Sequence, residues 1–447
     1  MKKLFVLLIL LASGSTLYSQ QILSLEDSKE LSLKNNSLSK NSRLELEASK
    51  QISKSSFTNY FPNISAGGMI FESEDNLMEM ETHGGDLPVY DGNPDNLSSA
   101  AQFAYFPSST MGLLKKGTIG FVNIIQPIFA GGRILNGNKL ASLGEEIFEY
   151  KLKLSQDDIL LKTEEQYWQL ISLDEKYKTI TDYEKMLNQI LIQVEDAFKS
   201  GIVMRNDLLK VKLQLNELLL NKSELENGRR LAKMAFCQFV GIDYDSTLVL
   251  NEKLNVSDIP QSIFIDKDEA LLKRTEYSLL EKSVEAEKLQ TRMKLGEYLP
   301  QAGIGLSGMY MKLDEAKERT VGLVFGTVSV PISAWWGGYH ELQERAIKEK
   351  ITENNFKNNS ELLLLQIEKS WQDLNNSYRK YLLSEESKVQ AEENSKVNTN
   401  SFNNGLTTVS DLLEAQALLQ QTYSQLIDSK VNYITKRSRY LRQTGRE

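Results

Sequence analysis

Few side chains in this chain of 447 residues stand where they could do covalent chemistry. His83 and His340 are 257 residues apart and bring no ligand partners at metal-binding spacing. Cys237 is the only cysteine, so no disulfide can form within the chain. Gly303-Ile-Gly-Leu-Ser-Gly308 spells GxGxxG, but Pro300 and a long helical pattern precede it and a strand pattern follows. The βαβ unit that makes this motif a phosphate cradle is missing. What remains is ionic. Asp207 and Asp411 each follow a loop glycine and precede Leu-Leu, in the first turn of a predicted helix, where a carboxylate complements the helix dipole. Thr408-Val-Ser-Asp411 also fits a capping box. No set of residues forms a nucleophile, acid–base or cofactor constellation, so the reading is of a non-enzyme without cofactor or metal.

The two aspartates are one pair among many. Phe198-x-x-Gly201-x5-Asp207-Leu-Leu returns as Phe402-x-x-Gly405-x5-Asp411-Leu-Leu, 204 residues on. The same offset carries Pro127 to Pro331, Glu164 to Glu368 and Gly241 to Gly445. One register held this long implies a duplicated structural unit.

Prolines divide the elements. None lies in 132–259 or 332–447, and the 66 residues between Gly338 and Gly405 contain neither Pro nor Gly. Such a run predicts one long helix, about 100 Å at 1.5 Å per residue. Its twin runs from Gly132 to Gly201. After each loop Leu208, Val211, Leu215, Leu218, Lys222 and Leu225, with their twins from Leu412 to Ser429, keep a 3-4 spacing, a heptad seam for an antiparallel return helix. Gly201 and Gly405 are the hinges. Helices are also predicted at about 24–59 and 266–297.

Around the other prolines the period changes to two. Ile304, Leu306 and Tyr310 share a face, and four strands are predicted at 63–72, 117–129, 302–311 and 320–332. Pro62 and Pro300 precede the first strand of each pair; Pro127 and Pro331 lie near the end of the second, where proline is tolerated. Gly132 and Gly338 mark the strand-to-helix junctions. Tyr60, Phe129, Tyr298, Trp335 and Trp336 gather at these junctions, as aromatics do at a membrane boundary. Trp168 and Trp371 are mid-helix and read as core. The segment 72–116, rich in Gly, Ser, Asn, Asp and Pro, reads as a mobile surface loop.

The division is therefore a signal peptide at 1–19, a first repeat at 20–241 with its helical hairpin at 133–240, a linker at 242–265, and a second repeat at 266–447 with its hairpin at 339–444. Lys2 and Lys3, the apolar stretch 4–12 and the small residues up to Ser19 carry the signal reading. The net charge of −8 argues against a nucleic-acid partner. Strands of about ten residues match a transmembrane β-strand, yet four cannot close a barrel. Open edges in lipid leave backbone groups unpaired, so several copies must share one barrel. Sequence physics leaves two, three or four copies open.

This set of features resembles the TolC-like outer-membrane channels of efflux pumps and type I secretion systems. The twin Phe-x-x-Gly-x5-Asp-Leu-Leu motifs carry the likeness. So do Gln126-Pro-Ile-Phe-Ala-Gly-Gly132 and Val330-Pro-Ile-Ser-Ala-Trp-Trp-Gly-Gly338, Tyr60-Phe-Pro62 and Tyr298-Leu-Pro300. The resemblance implies a mainly α-helical chain with a membrane β-barrel. Four strands from each member of a homotrimer close 12 strands in outer-membrane lipid, above a coiled-coil tunnel in the periplasm. It implies a periplasmic adaptor (membrane fusion protein) and an inner-membrane transporter as partners, and no enzymatic activity. It also places Asp411 and Glu414 in acidic rings at the narrow periplasmic end. The glycines of 303–308 then suit a lumen-facing strand side. Some members carry an Arg two residues after the second loop glycine; here that position is Thr407, and Phe402 stands where a Tyr can occur. Closure is therefore expected to rest on packing around Phe198, Phe402, Leu208 and Leu412. A periplasmic coiled-coil adaptor or scaffold is the alternative reading.

Overall fold

Proline and glycine fix the breaks between elements, and hydrophobic spacing fixes what lies between them. The computed structural model describes residues 22–90, 92–113, 115–256, 258–313 and 317–446; the expected signal peptide at 1–19 lies outside them. Eight α-helices are described: α1 (Leu25–Asn35), α2 (Ser37–Phe57), α3 (Arg133–Lys199), α4 (Arg205–Val240), α5 (Lys267–Lys273), α6 (Thr275–Gly296), α7 (Trp335–Asn403) and α8 (Val409–Gln443). Four long strands, β1 (Asn63–Glu72), β2 (Lys116–Ala130), β3 (Gln301–Leu313) and β4 (Arg319–Ser329), form one antiparallel sheet in the order β4-β3-β2-β1.

Two compact units result, and each draws segments from both halves of the chain. One contains residues 51–142 and 286–349; the other contains the described parts of 1–50, 143–285 and 350–447. The expected division at 241 follows the duplication; compactness follows layer type, because strands must pair with strands and helical seams with helices.

In the helical unit the duplication is visible contact by contact. Tyr167 meets Phe236 with ring centroids 6.1 Å apart; 204 residues on, Trp371 meets Tyr440 at 5.2 Å. Lys212 pairs with Glu195 at 2.9 Å, and at the twin positions Gln416 Nε2 donates to Thr399 Oγ1 at 2.9 Å. Arg229 pairs with Asp174, while their twins Tyr433 and Tyr378 pack rings at 5.2 Å. The backbone register survives while ion pairs in the first hairpin become neutral or aromatic contacts in the second. Leu187, Val194, Val211 and Leu218 fill the first seam, and all are buried. In the second seam Ala391, Ala415 and Thr422 are the buried twins of Leu187, Val211 and Leu218. Trp168 is buried, and Trp371 packs against the cluster of Leu374, Tyr433 and Tyr440.

Several expectations need correction. The helices predicted at 24–59 and 266–297 are each broken once, at Asn36 and Arg274, where the backbone is extended. Asn36 Nδ2 donates to the terminal-turn carbonyl of Phe239 at 2.8 Å, and its Oδ1 accepts from Leu38 N–H at 2.8 Å, so it satisfies two helix ends at once. Arg274 is buried and pairs with Glu276 at 2.8 Å. Strand β4 stops at Ser329 rather than 332, because Pro331 cannot donate to a ladder and Ile332–Ala334 forms a 3₁₀ turn. Helix α7 then starts at Trp335, so Gly338 lies inside it; a Cβ there would fall 2.8 Å from the Tyr298 ring. Its counterpart junction is a true turn, with Gly131 and Gly132 at φ +63° and +76°.

The segment expected as a mobile loop contains two short ladders. Met78–Thr82 pairs antiparallel with Ser109–Leu113, and Gly85–Pro88 with Phe103–Phe106, so the β1–β2 hairpin continues as a long arm. Across the linker, Val249–Leu250 pairs in parallel with Ile22–Leu23.

Candidate channel wall and hairpin tips

Register decides what each side of the sheet can face. On one side the central rows are Ile64–Ile124–Leu306–Val324 and Ala66–Val122–Gly308–Gly322, with no polar side chain. Tyr310 stands on this side with Ile304 and Leu306. The other side carries the row Ser65–Asn123–Ser307–Leu323, where Ser307 Oγ donates to Asn123 Oδ1 at 2.6 Å. There Phe121 lies over Gly67 and Phe325 over Gly305; a Cβ would meet those rings at 2.6 Å and 2.2 Å. Gly303 and Gly305 belong to this second side, whereas Gly308 belongs to the apolar one. The first side thus suits hydrocarbon through its central rows, while the second sets one polar row between the apolar rows of Phe121 and Phe325. Strands β1 and β4 are the sheet edges, each paired on one side only among the described residues.

The junctions carry an aromatic collar. Tyr60, Phe129 and Trp335 are exposed, and Trp336 is 82% exposed. Phe57, which sequence reasoning passed over, meets both Tyr60 and Phe61 edge-on, each at a centroid distance of 5.6 Å. Trp335 Nε1 donates to Tyr298 O at 2.8 Å, and the Tyr298 hydroxyl donates to Glu341 at 2.7 Å. Lys294 reaches Glu297 at 2.8 Å and Glu341 at 2.5 Å; those carboxylates, Glu297 first, hold its ammonium well above the usual lysine range. Pro62, Pro300 and Pro331 sit beside strand termini, whereas Pro127 lies inside β2, where the β2–β3 ladder breaks its register before Phe129.

The hairpin tips repeat one backbone motif. Gly201 and Gly405 both have φ +71°. Ile202 N–H donates to Ala197 O and Gly201 N–H to Phe198 O, both at 2.9 Å; Leu406 N–H donates to Ser401 O at 2.8 Å and Gly405 N–H to Phe402 O at 3.0 Å. This is the Schellman arrangement, which requires a left-handed residue and so favours glycine. Ile202 and Leu406, one residue further, are 78% and 79% exposed.

Beyond each tip an aspartate caps the return helix. Asp411 Oδ2 accepts from Thr408 N–H at 3.1 Å, Thr408 Oγ1 at 2.7 Å and Thr407 Oγ1 at 3.0 Å. These hydrogen bonds, Thr408's first, lower its pKa from 3.8. Asp207 Oδ2 accepts from Met204 N–H at 3.4 Å. Glu414 is exposed on the next turn. Phe402 and Leu208 pack against a cluster that buries Leu412, Leu413 and Val409 with Val194 and Val211. Phe198 does not join it: it sits past Val194 at the end of the α3 seam and is 39% exposed. Lys210 was missed in the sequence. Its Nζ donates to Ser410 Oγ at 2.6 Å and lies 3.6 Å from Asp207, so it links the two tips. Its only signal was the i,i+3 spacing from Asp207.

Comparison with protein-family models and with curated proteins gives no match. Solved structures do match. The outer membrane protein VceC of Vibrio cholerae superposes with a TM-score of 0.72 at 13% identity, over 94% of this chain and 96% of that one. The fold is that of an outer-membrane channel. The CmeC outer membrane channel of Campylobacter jejuni gives 0.74 at 15% identity, over 94% and 85%. The MtrE outer membrane channel of Neisseria gonorrhoeae, in its open state, gives 0.74 at 11% identity, over 94% and 89%. Within this channel fold no helix among the described residues is long and apolar enough to cross a membrane. Among those residues no group of three or more His, Cys, Asp or Glu is placed to hold a metal ion.

Proposed function

We propose that three copies of this chain form an outer-membrane channel, the passive exit duct of a tripartite efflux pump or type I secretion system. One observation carries the reading: a four-stranded antiparallel sheet, apolar through the central rows of one side, with two edges that no described residue covers. Such edges are satisfied in lipid only by closure with strands of further copies. The long helical hairpins supply a periplasmic tunnel wall. The alternative of a coiled-coil adaptor gives a lipid-type sheet no role.

The tips form the gate, with Gly201 and Gly405 as hinges and Lys210 joining one tip to the other. Asp411 and Glu414 ring the bore and favour cations. Exposed Ile202 and Leu406 suit a docking partner, the periplasmic adaptor, which links the duct to an inner-membrane transporter. The channel likeness to solved structures supports this assignment, and no step of it needs catalysis. In planar lipid bilayers the protein should conduct with cation preference. The Asp411→Asn/Glu414→Gln variant should lower the cation-to-anion permeability ratio at least about twofold, since fixed charges at a constriction set selectivity. Selectivity unchanged in that variant would contradict the gate assignment.

A further inference from the structure

The arm that extends β1 and β2 holds a group of side chains that the channel reading does not use. In its first ladder Met80 pairs directly with Met111, and Met78 stands two residues from Met80 on the same strand. Directly opposed residues share a face, and so do residues two apart. Met78, Met80 and Met111 therefore stand together on one face. Opposed residues in an antiparallel pair have Cβ atoms about 5 Å apart and diagonal neighbours about 7–8 Å, and a methionine side chain with three rotatable bonds closes such gaps. All three are open to solvent, at 56%, 56% and 62% exposure. Glu79 and Glu81 alternate with the methionines on the same strand and occupy the opposite face of this single layer. They add negative potential without offering their oxygens to the thioether side.

Three solvent-exposed thioethers on one five-residue ladder form a ligand set of definite chemistry. Thioether sulfur is soft and uncharged; it favours soft monovalent d¹⁰ cations over hard oxygen-seeking ions such as Mg²⁺ or Ca²⁺. We infer that Met78, Met80 and Met111 bind one soft monovalent cation, Cu(I) or its redox-stable analogue Ag(I), on the surface of the arm. The sequence hid the site because Met111 lies 31 residues from Met80 and only the ladder register brings it opposite. His83 lies one residue beyond the paired segment, and the site is defined without it. The inference concerns the arm alone and does not depend on the channel reading.

The test uses the full protein in mild detergent, titrated with Ag(I) in chloride-free buffer by isothermal calorimetry. The expected result is one Ag(I) per chain, with affinity falling by about 100-fold or more in the Met80→Leu/Met111→Leu variant, because two of the three soft ligands are gone. Leucine keeps the size and apolar character of methionine, so the variant keeps its fold. Met204→Leu, which removes an exposed methionine elsewhere, should leave the affinity unchanged. Absence of binding by the unsubstituted protein would overturn the inference. So would equal affinity in the double variant.

Discussion

At Thr407 and Asp411 the second hairpin tip combines two jobs, starting a helix and carrying charge. The Asp411 carboxylate is engaged by Thr408 and Thr407, and its folded pKa is depressed below 3.8. A depressed carboxylate pKa contributes stability that is fully present above the ordinary value and is lost as pH falls through the folded one. Acidification below about pH 4 should therefore loosen the start of α8. Protection factors for amide exchange at Val409–Leu413, with the intrinsic rate at each pH divided out, should fall relative to pH 6 more in the unsubstituted protein than in Asp411→Asn, which has no carboxyl to titrate there. An equal fall in both would remove Asp411 as the cause. Thr407→Arg sets a guanidinium against the same carboxylate and fills space at the tip. Single-channel conductance should fall; unchanged or higher conductance would count against a gate at this loop. The aspartates were legible as helix starts because capping is local. Lys210 was not, because its partner Ser410 lies 200 residues away.

Among the elements, the strands show where local pattern suffices and where it does not. Pro62, Pro300 and the alternation at Ile304, Leu306 and Tyr310 located the sheet, since proline and period-two burial act within a few residues. The arm escaped notice because its Gly, Ser and Asn content hides short ladders that exist only through pairing between Met78–Thr82 and Ser109–Leu113. The breaks at Asn36 and Arg274 escaped for a related reason: their partners, Phe239 and Gln366, are distant in the chain. The sheet also makes a paired prediction. Gly305→Val drives a side chain into the Phe325 ring, whereas a Cβ at Gly308, on the apolar side, meets nothing within 4 Å. Overpacking of this kind costs about 1–3 kcal/mol. Thermal unfolding of the detergent-solubilised protein should begin several degrees lower in Gly305→Val and be unmoved in Gly308→Val; an equal response in both would reject the assigned faces.

For the whole molecule the decisive quantity is the cost of a sheet edge. Strand β1 has ten residues and β4 eleven, and about half of the backbone groups on each point away from the sheet. Each unpaired N–H or C=O in lipid costs several kcal/mol, so either edge alone outweighs the ~5–15 kcal/mol by which a domain is stable. A single chain with this sheet cannot rest in a bilayer, and closure by further copies removes the penalty without adding any new element. Twelve strands from three chains meet that need and exceed the roughly eight of the smallest bacterial barrels. The measurement that tests this most directly is the protein mass of the native particle extracted from outer membranes in mild detergent, with bound detergent subtracted. The account predicts three protomers. A single protomer recovered from the soluble periplasmic fraction would contradict it.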